Sequence, residues 1–89
     1  MSDAARIRVG RRTFARCVAA ALADLDNLAK NGVDIGDARR QIDRIAADAD
    51  AEFETLAQDY GGFGLVDALI GEGMLRNRQL VAIVKAVTP

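Results

Sequence analysis

The chain has no histidine or tryptophan and a single serine, cysteine and proline, and each shortage removes a class of function. Without histidine the commonest general acid or base is missing, and so is any Glu-x-x-His pair of the kind a di-iron bundle uses. The one serine, Ser2, stands at the chain end without the partners that activate a nucleophile. The one cysteine, Cys17, cannot form an internal disulfide, so nothing points to secretion. Lying beside Phe14, Val18 and Ala21, it reads as a small buried hydrophobe rather than a thiol sharpened by Arg16. Catalytic residues are therefore not expected.

Proline appears only as Pro89, so no helix interior is broken by one. Aromatic residues are limited to Phe14, Phe53, Tyr60 and Phe63, and alanine does much of the apolar work instead. Alanine is the strongest helix former, and its small side chain lets helices approach closely. Long apolar runs are also missing. The longest, CVAAALA at 17–23, falls far short of the roughly 20 residues that span a bilayer. The arginines at the start are not followed by a signal-type apolar run, so a cytoplasmic protein without membrane contact is expected.

What remains is 51% apolar and 28% charged, a balance that argues for a folded soluble domain spanning residues 1–89. Phe14, Val18, Ala21, Leu25 and Leu28 fall at alternating steps of four and three, one stripe of a helix. Lys30, Asn31 and Gly32 supply a cation and a glycine where that helix should stop. A second stripe runs through Ala38, Ile42, Ile45, Ala49, Phe53, Leu56 and Tyr60, with Asp34 or Asp37 as its cap. The expected fold is all-α: helices at 12–31 and 37–60 form an antiparallel hairpin, closed by a C-terminal pair at 63–70 and 77–87. The GEG at 71–73 separates that pair and Asn77 caps its second member. Ile7 would continue the first stripe, but Gly10 and Arg11 interrupt it, so residues 1–11 read either as a frayed helix start or as a flexible basic arm.

Charge is uneven although the net is −1. Arg6, Arg8, Arg11, Arg12 and Arg16 face only Asp3 in the first 16 residues, whereas residues 43–59 hold six acids against Arg44. Arg8, Arg12 and Arg16 share a helix stripe, which reads first as a solvated or acid-paired face and second as a phosphate contact. Arg76 and Arg78, at the start of the last expected helix, give the outline of a helix-turn-helix, though the turn spacing fits poorly. The acids of DADAEFETLAQD at 48–59 mimic a calcium loop, yet Phe53 stands where the loop needs glycine, and the stretch is helical in pattern. No metal site and no cofactor are expected, and the glycines match no phosphate loop.

The C-terminal segment is apolar on most faces and must be covered by something. Either it packs across the hairpin or a second subunit covers the rest, and Leu65, Val66, Leu69, Ile70, Leu80, Ile83 and Val84 are the expected buried or partner/dimer surface, most simply in a twofold homodimer. The sequence thus points to a small non-enzymatic interaction protein that presents helix surfaces to a protein partner or to itself. The runner-up is a small DNA-associated regulator using Arg8, Arg11, Arg12 and Arg16, or Arg76 and Arg78.

Overall fold

The computed structural model describes the whole chain, Met1–Pro89. It is all-helical, with no strand: α1 (Asp3–Lys30), α2 (Gly36–Asp59) and α3 (Gly62–Val87) pack together as a three-helix bundle.

Helix α1 begins nine residues earlier than the sequence pattern suggested, and residues 1–11 are not an arm. Ser2 Oγ accepts the Ala5 amide at 3.1 Å, and Asp3 places an acid in the first turn, where the helix dipole favours it. Ile7 is buried and extends the stripe of Phe14, Ala21 and Leu25. Gly10 does not interrupt it, because the missing side chain is where α3 comes close. A Cβ there would lie 3.4 Å from the Leu69 side chain. The far end of α1 stops as the Lys-Asn-Gly signal predicts. Gly32 takes a φ of +87°, its amide donates to the Ala29 carbonyl, and the Val33 amide donates to Leu28.

Helix α2 opens with Ile35 at the cap position rather than Asp34 or Asp37. Asp34 Oδ1 instead accepts the Gly36 amide at 3.0 Å just upstream, and Asp37 falls in the first turn. Ala38, Ile42, Ala49 and Phe53 enter the core, Ile45 and Leu56 pack against it, and Tyr60 lies half-exposed beyond the helix end.

The expected C-terminal pair is one continuous helix, α3, so no GEG break occurs and Asn77 lies in its interior. Glycine within a helix costs about 1 kcal/mol relative to alanine, which is the reason a break was expected at Gly71 and Gly73. Tertiary anchors outweigh that cost. Leu65 and Leu69 before the glycines and Leu80 after them are buried in the same core. A Glu72–Arg76 ion pair at 2.7 Å also spans Gly73.

The side-chain pairings fix the topology. Arg11 meets Asp50 and Glu54 while Arg39 meets Asp26, so α1 and α2 run antiparallel. The Gly62 amide donates to Asp3 at 3.3 Å, and Gly10 abuts Leu69, so α1 and α3 run parallel. Eleven residues form the core and none of them is polar. At its middle the Phe14 and Phe53 rings meet edge to face at 5.9 Å.

Candidate interaction groove between α1 and α3

Parallel packing of α1 and α3 leaves an open groove of about 500 Å³ along their N-terminal halves. Met1, Val9, Thr13 and Cys17 line one wall and Val66, Ile70, Gly73 and Met74 the other. The floor is Phe14 and Leu69, which belong to the core. The groove stays open for two reasons. Gly10 and Gly73 contribute no side chain, and nothing lies within 4 Å of where a Gly73 Cβ would stand. Asn77 closes one end, and Arg6, turned toward Asp3 at 2.7 Å, borders the other.

The outer edge of the groove continues into a second stripe on α3. Phe63, Ile70, Met74 and Val81 are 89%, 56%, 56% and 43% exposed. With Asp67 and Asn77 between them, these residues follow steps of four and three, the period that keeps one helix face turned to a neighbour. So α3 has two apolar seams. The inner one is spent on the bundle, and the outer one has nothing of this chain upon it.

That division sorts the seven residues expected as buried or intersubunit surface. Leu65 and Leu80 are buried in the chain's own core, and Leu69 is buried there too apart from the edge it gives to the groove floor. Ile83 and Val84 pack partly against the same core. Three of the seven border the groove, Val66 and Ile70 on its wall and Leu69 in its floor. Met1, Val9, Phe63, Met74 and Val81 were missed. The outer stripe was legible as a four-three spacing, but assuming a break at 71–73 split it in two.

The arginines separate into spent and free. Arg6 pairs with Asp3, and Arg11 bridges to α2. Arg11 Nε lies 2.8 Å from Asp50 Oδ1 at an angle poor for a hydrogen bond, while its Nη1 reaches Glu54 at 2.6 Å. Acid pairing therefore claims part of the basic stretch. Arg8, Arg12 and Arg16 are exposed on α1 and none makes an ion pair within the chain. Arg76 is held against Glu72 and Gln79 within continuous α3, which removes the helix-turn-helix geometry. Arg78 is exposed and unpaired on the same helix.

The acidic stretch 48–59 is the C-terminal half of α2, with Phe53 in the core and 1% exposed. No group of three His, Cys, Asp or Glu side chains gathers as a metal site. Cys17 is half-buried on the groove wall. No helix is long and apolar enough to cross a membrane. The chain matches no protein-family model, no curated protein and no solved structure. Its own surface is the basis for a functional reading.

Proposed function

We propose that this chain is a non-enzymatic protein-interaction module, an adaptor, inhibitor or assembly subunit, whose α1/α3 groove receives an amphipathic helix of a protein partner. The outer α3 stripe carries this reading. Phe63, Ile70, Met74 and Val81 expose large apolar area along one line beside an apolar groove. Burying such a side chain fully contributes about 1.5–3 kcal/mol, so four in a row form an association surface rather than scattered exposure. Spaced seven, four and seven residues apart, with Asp67 and Asn77 completing the four-three pattern, they keep one face of α3 turned toward a neighbouring helix. From Phe63 to Val81 the stripe runs roughly 27 Å at the helical rise per residue.

Cys17 makes the groove testable, because the chain's only thiol stands on its wall. Its alkylation rate by iodoacetamide is compared in the dilute pure chain, the concentrated pure chain and an extract of the source cells. Occupancy is expected to slow alkylation several-fold, and the combined variant Ile70→Ser, Met74→Ser should restore the fast rate. An unchanged rate in every setting would sink the reading.

A second reading rests on a separate observation, the unpaired arginine stripe of Arg8, Arg12 and Arg16. It makes the chain a DNA-associated regulator that holds duplex phosphates on the outer face of α1. Three phosphate contacts imply a log–log salt slope near about −3. Fluorescence anisotropy with mixed-sequence duplex measures it, and Arg12→Ala with Arg16→Ala should reduce the slope by about two. Absence of binding at low salt removes this reading and leaves the stripe as a solvated face.

A further inference from the structure

We infer that the occupant of the groove is α3 of a second copy of this chain, packed antiparallel about a twofold axis that crosses the outer stripe midway between Ile70 and Met74. This rests on the interaction-module reading and names its partner. The argument begins with the order of residues along the outer stripe: Phe63, Asp67, Ile70, Met74, Asn77, Val81. Read outward from residue 72, the stripe is symmetric in chemistry as well as in spacing. An antiparallel copy places Ile70 opposite Met74 of its twin, Asp67 opposite Asn77 and Phe63 opposite Val81. Apolar meets apolar at two levels. At the third, the Asn77 amide can donate to the Asp67 carboxylate across the seam.

Charge selects the same direction. Of the charged residues on α3, Glu72 and Arg76 satisfy each other, leaving Asp67, Arg78 and Lys85 unpaired. The free acid lies on the N-terminal half and the free bases on the C-terminal half. Parallel in-register pairing would stack Asp67 on Asp67 and Arg78 on Arg78. Antiparallel pairing sets each Arg78 beside the twin's Asp67, twice by symmetry. Gly73 leaves open space beside the axis, which lets the two backbones approach, and the α1 wall of Val9, Thr13 and Cys17 then covers the incoming helix from the side.

The closing experiment uses charge reversal on the full chain, read by sedimentation equilibrium from micromolar to millimolar concentration. The wild type is expected to dimerise. Asp67→Arg alone and Arg78→Asp alone each put like charges in contact at two symmetric places and should weaken the homodimer about tenfold or more. Both reversals in one chain should restore it. An equimolar mixture of the two single variants should form a heterodimer stronger than either homodimer, because both of its contacts are then opposite in sign.

Asp67 and Arg78 are 11 residues apart on one straight helix and do not touch, so recovery has to come from across the interface. Circular dichroism of each variant checks that α3 remains folded. A chain that stays monomeric throughout overturns the inference, as does a dimer indifferent to the reversals. If the pure chain is monomeric but Cys17 is protected in source-cell extract and released by Ile70→Ser with Met74→Ser, the groove holds a different protein. The module reading then survives while this inference fails.

Discussion

Helix α1 lies between two grooves that were finished differently. On the α2 side, Arg11 reaches over the seam to Asp50 and Glu54, and the recess left beside Phe14, Val18, Ala46 and Phe53 holds only about 190 Å³, against about 500 Å³ on the other side. On the α3 side no ion pair crosses and only Asp3 reaches over, at the Gly62 end; Gly73 leaves one wall without a side chain, and apolar atoms meet solvent. The difference follows from charge along the chain. Helix α1 carries six basic residues against three acidic, α2 carries seven acidic against three basic, and α3 is nearly balanced. Long opposite charges close α1 against α2. Between α1 and α3 there is little to draw a lid across, so that seam is left available.

The contrast can be broken in order of effect. Phe53→Ala removes the largest fully buried side chain beneath the closed groove and should cost about 3–5 kcal/mol in urea unfolding. A chain of this size has a total stability of only about 4–13 kcal/mol, so the variant should be near the edge of folding. A loss below about 1 kcal/mol would mean that the Phe14–Phe53 contact is not the centre of the core. Arg11→Ala opens the same seam from above. With both acidic partners more than half exposed, it should cost no more than about 1 kcal/mol, and less in high salt.

Gly71→Ala works in the other direction. Nothing lies within 4 Å of the added methyl, so the helix-propensity gain of about 0.5–1 kcal/mol should appear as a higher melting temperature. No gain would signal that α3 is not continuous through the glycines. The smallest effect belongs to the open groove. Ile70→Ser with Met74→Ser should move the stability of the dilute chain by about 0.5 kcal/mol or less, since both side chains already face water. A larger loss would make them part of the core and remove the surface on which the functional reading stands.

The residues that carried the sequence reading furthest were those whose partners lie near in the chain. The Phe14–Leu25 stripe, the stop at Gly32 and the Ala38–Phe53 stripe all depend on neighbours within a turn or two, and the helices of the bundle contain them. What misled it was glycine. Gly10, Gly71 and Gly73 were read by local propensity as interruptions, and the deciding contacts lie far off in sequence. Leu69 packs at Gly10 across 59 residues, and Leu80 holds the far half of α3 to the core. The site suffered by the same route. An apolar segment told the reader that something must cover it, but only the assembled bundle distinguishes Leu65, turned inward, from Phe63, turned out.

The bundle is 46 Å long and about 17 Å across, barely one layer of side chains around its axis. Its eleven core residues, drawn from all three helices, therefore form one narrow column of short rungs, such as Phe14 against Phe53. In such a column each rung is steadied mainly by the rungs above and below, so loosening at either tip can advance inward like an opening zipper. Amide hydrogens should then exchange on a graded scale, fastest at Asp3 and Val87 and slowest around Phe14 and Phe53. A clasp laid along the outer stripe of α3 would span many rungs at once, turning a column that frays from its ends into one that must come apart as a whole.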